Sequence, residues 1–245
     1  MKGCIHLVFL ISVFIYMGCN SLSKTFRQKQ STTINNTPTV SLYPSPDLVV
    51  SYHSDWTKKH YPERIIAFKQ HPLKVGDIVF LGNSLTEHGD DWGKRLNIPT
   101  IKNRGIAGDV TYGVLQRLNE IWYYKPTAGF ILIGINDMFN DSLSAKYIAD
   151  NDIKIAEIID KKSPQTKLYM QTILPTANHN LVAKIKIVND KLKSNASQMT
   201  YSLIDLHSFF ADENDLIKKE LTNDGVHLTE EGYNLWISVV GKYLK

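Results

Sequence analysis

The stretch Asp77–Leu81 reads Asp-Ile-Val-Phe-Leu and runs directly into Gly82–Leu85, Gly-Asn-Ser-Leu. Four apolar residues in a row, without polar alternation, are typical of a strand buried on both faces of a parallel sheet. A second run of this kind, Phe-Ile-Leu-Ile, lies in the predicted strand Gly129–Ile133. Each run ends in a segment containing Gly and Asn, which predicts a turn at the carboxyl end of the strand. The two runs therefore indicate an α/β domain.

Outward from these runs, short apolar segments alternate with longer helical patterns. The other predicted strands are Thr100–Asn103, Lys167–Ile173 and Tyr201–Leu206. Helical patterns cover Trp56–Gln70 and residues 110–124, 142–162, 181–197 and 229–244. Strands that alternate with helices predict a three-layer α/β/α sandwich around a five-stranded parallel sheet. We expect one folded domain over residues 48–245.

Composition and charge narrow the class of protein. The chain has 245 residues, 43% of them apolar, which allows one sizeable core without requiring a second domain. The formal net charge is +4, and the basic residues are spread along the chain rather than clustered. This distribution predicts no nucleic-acid partner.

The first residues read as a targeting segment. Lys2 supplies a positive start, and Leu7–Met17 is an apolar run too short to span a bilayer. Gly18 and Cys19 follow, which resembles a bacterial lipoprotein signal whose cysteine is lipidated. The only other cysteine, Cys4, lies in the segment that would be removed, so no disulfide framework is expected. A plain secretory signal with an incidental Cys19 is the alternative.

The segment after Cys19 is polar and rich in turn residues. Residues 20–47 lack an apolar period, which predicts a flexible tether between the anchor and the folded domain. No acidic run follows Cys19, and this favours the periplasmic side. We therefore expect an exported lipoprotein that contacts the membrane only through its N-terminal lipid.

Three candidate functional residues follow predicted strands. Ser84, Gly108 and Asn136 each come just after a strand, and ligands of open parallel sheets bind beyond the carboxyl ends of the strands. Ser84 is read as a nucleophile or as a helix N-cap. Gly108 is interpreted either as the donor of an oxyanion-binding backbone N–H or as a loop glycine that adopts a positive φ. Asn136 is interpreted either as the donor of an oxyanion-binding side-chain amide or as an ordinary turn residue.

The residues next to these candidates are assigned structural roles. Asp109 is expected to cap the next helix or to pin the loop rather than to react. In the Gly-Ile-Asn-Asp segment, Asp137 is a weaker candidate than Asn136 for a role in catalysis, and it is expected to be structural. Four aromatic residues either pack in the core, which is favoured, or line a sugar platform: Trp92, Tyr112, Trp122 and Tyr123.

Asp224 and His227 are three residues apart, with Gly225 between them. A tight turn there places the carboxylate against Nδ1 of the imidazole and leaves Nε2 free to accept a serine proton. A metal pair or a purely local Asp–His hydrogen bond are the alternatives. No third ligand shares the stretch, so no metal and no cofactor are predicted. Glu230 and Glu231 are expected to start the next helix after Thr229 as N-cap.

The other histidines of the expected mature chain have no partner at an informative spacing: residues 53, 60, 71, 88, 179 and 207. His88 is close to Ser84 in the sequence and is a candidate to line the pocket.

Together these segments resemble the SGNH (GDSL-like) hydrolases over nearly the whole folded domain. The family's serine matches Ser84, its oxyanion Gly and Asn match Gly108 and Asn136, and its paired Asp and His match Asp224 and His227. The first block departs from the family pattern, since it reads Gly-Asn-Ser-Leu instead of Gly-Asp-Ser-Leu. The resemblance implies a flavodoxin-like fold, an oxyanion hole that includes the Ser84 N–H, and ester hydrolysis without a cofactor.

Within that family the chain looks most like platelet-activating-factor-acetylhydrolase-like enzymes and carbohydrate O-acetylesterases. Ordinary α/β-hydrolases fit less well, because no Gly-x-Ser-x-Gly elbow surrounds Ser84. We expect a serine esterase for short acyl groups, acetyl first, carried on glycans such as sialic acids or polysaccharides. The alternatives are a lysophospholipase or thioesterase with the same residues, and a non-catalytic glycan-binding module.

Overall fold

The computed structural model describes residues 41–199 and 201–244. The predicted signal segment over residues 1–18, the lipidation site Cys19 and most of the predicted tether lie outside the described residues. They therefore remain predictions.

A five-stranded sheet forms the centre of the domain, and every neighbouring pair of strands is parallel. The spatial order is β2-β1-β3-β4-β5. The sequence prediction of a parallel five-stranded sheet with helices on both faces is confirmed, and no strand boundary is shifted by more than two residues. The strands are β1 Ile78–Gly82, β2 Ile101–Gly105, β3 Ala128–Leu132, β4 Lys167–Gln171 and β5 Ser202–Ile204.

Within the described ranges the α-helices are α1 Asp55–Gln70, α2 Ser84–Glu87, α3 Trp92–Leu96, α4 Thr111–Leu115, α5 Asn119–Tyr124, α6 Ile135–Met138, α7 Ala145–Lys162, α8 Val182–Ala196, α9 His207–Phe210 and α10 Glu230–Val240. Short 3₁₀ turns cover His179–Leu181, Lys219–Leu221 and Gly241–Tyr243. No helix in this part of the chain combines the length and the apolar character needed to cross a membrane.

The continuous apolar runs are buried because the sheet is covered on both sides. On one face, Phe80 stacks on Phe130 and on Trp92 at centroid distances of 4.8 and 4.6 Å. Trp92 in turn meets Trp236 of α10 edge to face at 4.8 Å. The opposite face packs against α4, α5 and α7, through the cluster Val79, Leu81, Ile131, Val114, Ile121, Ile155 and Ile159. Both faces of the strands therefore lie in the core, as the apolar runs predicted.

The single helix predicted over residues 110–124 is wrong, because the chain forms two short helices, α4 and α5, with a turn between them. The break contains Arg117, whose guanidinium is buried and donates three hydrogen bonds. The acceptors are the Asp109 carboxylate at 2.9 Å, the Arg104 carbonyl at 2.7 Å and the Gly82 carbonyl at 2.9 Å. These contacts hold the break against the ends of β1 and β2.

The folded part begins earlier than the predicted boundary at residue 48. Tyr43, inside the predicted tether, is partly buried, and its hydroxyl donates to the Glu120 carboxylate at 3.0 Å. The Asn119 amide donates to the Ser41 carbonyl at 2.7 Å. The polar composition of this stretch concealed these contacts, because their partners are more than seventy residues away in the sequence.

Candidate active site

Ser84 is the first residue of α2, two positions after β1 ends, and it is 4% exposed. It does not cap this helix, because Asn83 is the N-cap and its Oδ1 accepts a hydrogen bond from the Leu85 N–H at 3.1 Å. The alternative reading of Ser84 as an N-cap is therefore wrong. The cap needs only an oxygen acceptor, which either Asn or Asp supplies, so the departure at Asn83 leaves the turn intact.

A histidine and a carboxylate approach Ser84 from a distant part of the chain. The His227 Nε2 atom lies 3.1 Å from Ser84 Oγ, and His227 Nδ1 lies 2.7 Å from Asp224 Oδ2. Asp224 Oδ1 also accepts the backbone N–H groups of Val226 and His227 at 3.0 and 2.7 Å. The structure therefore brings the three predicted residues into one hydrogen-bonded chain.

Asp224 stays ionised over a wide pH range. Desolvation favours its neutral form, but the hydrogen bonds from His227 and from two backbone N–H groups outweigh this and lower its pKa to about 2. Gly225 adopts φ +90° in the turn between the two residues, as the close spacing requires. Thr229 then caps α10 through the Gly232 N–H, and Glu230 and Glu231 occupy its first turn, as predicted.

Gly108 lies in the loop after β2, the strand that pairs with β1 ahead of Ser84. Its φ is +78°, and an added Cβ would collide with Thr57 Oγ1. A side chain is therefore excluded both by the backbone conformation and by space. Among the described residues, neither the Gly108 N–H nor the Ser84 N–H has a hydrogen-bond acceptor. Both are available to an anionic oxygen.

Asn136 lies in α6, after β3, on the other side of Ser84. Strand register pairs Gly82 with Gly105 and with Leu132, so the loops after β2 and β3 flank the turn of Ser84. The Asn136 amide donates one hydrogen bond to the Asp109 carbonyl at 2.8 Å. This bond orients the amide plane and leaves its second N–H free to donate.

Two carboxylates hold the Gly108 loop from either side. Asp109 is fully buried, and it accepts from Arg117 Nε at 2.9 Å, from the Val110 N–H at 3.0 Å and contacts His53 Nε2 at 2.9 Å. The carboxylate therefore pins the loop. The other predicted role, capping of α4 by Asp109, is wrong, since α4 has no side-chain cap.

On the other side, Glu87 accepts the Ala107 N–H at 2.6 Å and contacts His60 Nε2 at 3.0 Å. The reading of His53 and His60 as histidines without partners needs correction. The Asp109 and Glu87 carboxylates lie 56 and 27 residues away in the sequence, beyond any local spacing. His60 Nδ1 also lies 3.6 Å from Glu63 Oε2, three residues along α1.

Asp137 is buried and accepts hydrogen bonds from the backbone N–H and hydroxyl of Thr111, the latter at 2.6 Å. Burial raises its pKa to about 6, although the bonds from Thr111 work in the opposite direction. These hydrogen bonds link α6 to α4, so Asp137 has a structural role and fixes the position of the helix that carries Asn136.

His88 lines the site, because its ring centroid lies 5.3 Å from that of His227. Burial and the neighbouring His227 lower its pKa.

Of the aromatic residues considered for the core or for a sugar platform, Trp92 packs in the core, whereas Tyr112 and Tyr123 are partly exposed. Tyr123 lies at the other edge of the sheet, near the start of β3.

The arrangement can carry out acyl transfer. A serine hydroxyl faces an imidazole nitrogen that can accept its proton, and a carboxylate orients the imidazole through its other nitrogen. Two backbone N–H groups and one side-chain amide surround the same turn and can donate to a developing oxyanion.

Comparison with known proteins gives a consistent picture. Residues 80–235, well over half of the chain, match the GDSL-like Lipase/Acylhydrolase family. The chain is 29% identical over 168 residues to platelet-activating factor acetylhydrolase IB subunit alpha2 of Rattus norvegicus, covering 65% of this chain and 72% of that protein. It is 26% identical over 198 residues to subunit alpha1 of the same organism, covering 78% and 82%.

Two solved structures show the same fold. A GDSL-like lipase from Bacteroides thetaiotaomicron superposes with a TM-score of 0.65 at 22% identity, covering 77% of this chain and 96% of that one. A carbohydrate esterase family 3 protein from Talaromyces cellulolyticus superposes with a TM-score of 0.56 at 18% identity, covering 69% and 96%.

Proposed function

The chain belongs to the GDSL-like lipase/acylhydrolase family, whose reaction is ester hydrolysis, and on that premise we propose that it is a serine esterase with Ser84 as nucleophile. The observation that carries the proposal is the continuous contact from Asp224 through His227 to Ser84, with N···O distances of 2.7 and 3.1 Å. These distances are within hydrogen-bond reach, as a nucleophile and its base require.

In the first half-reaction, Ser84 Oγ bonds to the acyl carbon while its proton passes to His227 Nε2. The negative charge on the carbonyl oxygen is held by the N–H groups of Ser84 and Gly108 and by the free N–H of Asn136. His227 then gives its proton to the alkoxy oxygen, the ester C–O bond breaks and the alcohol leaves. Asp224 stabilises the imidazolium that exists between these two transfers.

In the second half-reaction, His227 takes a proton from water, and the resulting hydroxide oxygen bonds to the acyl carbon of the acyl-enzyme. The same three donors hold the second oxyanion. His227 returns the proton to Ser84 Oγ as the acyl–serine bond breaks. The products are one alcohol and one carboxylic acid, and the residues regain their starting state.

The acyl group we propose is short, with acetyl first. The relatives at 26–29% identity are named acetylhydrolases, which supports this choice. The side chains of His227 and Asp224 are 39% and 54% exposed, so the site is open to solvent beside the proposed base, and this supports an ester with a bulky alcohol. Together with the expected export and lipid anchor, this favours O-acetyl groups on glycans such as sialic acids or polysaccharides.

Purified protein assayed on p-nitrophenyl esters from acetate to octanoate tests the proposal. We expect activity that is highest on acetate and is lost in Ser84→Ala, while Ser202→Ala, at an exposed serine of β5, keeps it. O-acetylated polysaccharides are then compared with lysophospholipids and acyl thioesters as substrates.

Each alternative gives a different result in this assay. Preference for octanoate or for lysophospholipid would favour the lysophospholipase or thioesterase alternative. Full activity in Ser84→Ala would rule out this nucleophile. Absence of activity on every ester, with sugar binding retained, would favour a non-catalytic glycan-binding module.

A further inference from the structure

A second concave surface lies at the opposite edge of the sheet, where the strands begin. A trough of about 650 Å³ crosses the first residues of three neighbouring strands, Ile78, Ala128 and Lys167. We call it the amino-edge trough. A five-residue strand is roughly 17 Å long, so the trough is separated from Ser84 by the full length of β1. Its volume is within the range of small-ligand sites.

Four tyrosines line the trough as two pairs. Tyr123 and Tyr124 meet edge to face at a centroid distance of 5.0 Å, and Tyr169 and Tyr243 do so at 5.4 Å. Tyr123 and Tyr243 are 40% and 39% exposed. Each ring pair fixes the orientation of its members and presents an apolar ring together with a polar hydroxyl. Sugar rings offer the complementary surface, since their C–H faces are apolar and their edges carry hydroxyl groups.

The charged side chains that line the trough are both positive. Lys125 and Lys167 are exposed, and neither ammonium group has a carboxylate partner among the described residues. Among the described residues that line the trough there is no aspartate or glutamate, and the remaining polar side chains, Thr127 and Gln165, are neutral hydrogen-bonding groups. A concave surface with two unpaired ammonium groups attracts anions.

We propose that the amino-edge trough binds an acidic polysaccharide, with the two tyrosine pairs packing against sugar rings and Lys125 and Lys167 pairing with sugar carboxylates. Val75, Ile78 and Leu244 also line the trough with apolar side chains. The two unpaired ammonium groups and the tyrosine hydroxyls favour an anionic sugar chain over an acyl chain. The concave shape fits a polymer strand better than a flat membrane surface. The site is separate from the proposed reaction at Ser84 and does not depend on it.

Binding of the full chain carrying Ser84→Ala to polygalacturonate, measured by isothermal titration calorimetry, tests the proposal without any turnover. Dextran, a neutral polysaccharide, and vesicles of phosphatidylglycerol and phosphatidylcholine are the comparison ligands. The test variants are Tyr123→Ala, Tyr243→Ala and the double variant Lys125→Gln/Lys167→Gln. The charge-matched control is Lys154→Gln/Lys191→Gln, which removes two exposed lysines without an ion pair in the described structure.

We expect polygalacturonate binding that weakens about ten-fold or more in each tyrosine variant, as for an aromatic contact residue that carries much of the binding energy. The double lysine variant should bind polygalacturonate less tightly, and its binding should depend less on salt. The control variant shows the effect of removing two lysines elsewhere on the surface, and dextran shows the binding of a polysaccharide without charge. Thermal unfolding shows whether a tyrosine variant still folds. If it does not fold, the proposal is tested by the double lysine variant, whose substitutions are at exposed positions.

Equal binding by the double lysine variant and its control would overturn the proposal, as would equal binding of dextran. Stronger binding of the anionic vesicles, lost in the same variants, would identify the trough as a membrane-contact surface instead. In the parent with Ser84 intact, the trough variants should leave p-nitrophenyl acetate hydrolysis unchanged. A parent inactive on every ester would count against the proposed esterase and not against the trough.

Discussion

The amide of Asn136 combines two tasks, since one N–H is engaged by the Asp109 carbonyl and the other is free for an oxyanion. Asn136→Ala should therefore lower kcat by about two orders of magnitude, or about 3 kcal/mol of transition-state stabilisation, with little change in KM. Steady-state kinetics on p-nitrophenyl acetate measure both constants. A loss in kcat of less than ten-fold would remove Asn136 from the oxyanion hole.

Gly108 is constrained by its φ of +78° and by the side chain of Thr57. Gly108→Ala should lower both the melting temperature and kcat, because the added methyl displaces the loop that carries the N–H. Thr57→Ala in the same chain removes Oγ1, the atom in closest contact, and Cγ2, but it leaves Cβ and the backbone strain, so we expect partial recovery. A melting temperature of Gly108→Ala equal to that of the parent would show that the loop yields without cost.

The buried pair of Arg117 and Asp109 joins the ends of β1 and β2 to the Gly108 loop. Arg117→Met leaves a buried carboxylate and two carbonyls without their donor, and it should lower the free energy of unfolding by about 3–5 kcal/mol. The exposed pair Lys146–Asp150 is the control, where Lys146→Met should cost about 1 kcal/mol or less. Urea unfolding of the two variants compares them, and equal losses would contradict a bracing role for Arg117.

Helix α7 carries a buried acid, Asp152, whose two carboxyl oxygens have no hydrogen-bond partner within the described part of the chain. Burial, and then the nearby Asp137, raise its pKa well above the ordinary value of 3.8. The folded state then holds a proton that the unfolded chain has released, so this residue lowers stability as the pH rises above 3.8.

Asp152→Asn removes that penalty, so the variant should gain free energy of unfolding at pH 8 relative to the parent and gain less at pH 4. Asp160→Asn, on the same helix but partly exposed, is the control and should show a smaller pH-dependent difference. Urea titrations at the two pH values make the comparison. A gain of the same size at both pH values would show that Asp152 does not titrate in this way.

For the molecule as a whole, the prediction concerns its attachment to the membrane. If Cys19 is lipidated, Cys19→Ser should move the protein from the membrane fraction to the soluble fraction, because the lipid supplies the hydrophobic anchor. Cys4→Ser is the matched control and should stay with the membrane, since Cys4 lies in the segment that the signal reading removes. Fractionation followed by immunoblotting measures this, and identical partitioning of the two variants would contradict the anchor.

The strands and the position of the candidate nucleophile could be read from local patterns. Asp77–Leu81 and Gly129–Ile133 are continuous apolar runs, and burial on both sheet faces leaves that signature in consecutive residues. Asp224 and His227 were also predictable as a pair, because one turn of the chain brings them together. The capping of α10 by Thr229 is local in the same sense, since the bond closes within three residues.

Contacts between distant segments left no such signature. Ser84 and His227 are 143 residues apart, and sequence reasoning joined them through a family resemblance rather than through spacing. Arg117 interrupts a stretch with a helical pattern because its guanidinium finds three acceptors on other elements, and these exist only once β1 and β2 are paired. Local apolar order thus determined the sheet and the edge where the candidate site lies, while the bracing of the Gly108 loop and the amino-edge trough arose from packing. The physical reason is that a hydrogen bond or ring contact across the fold depends on where two elements meet, and no pattern of neighbouring residues encodes that distance.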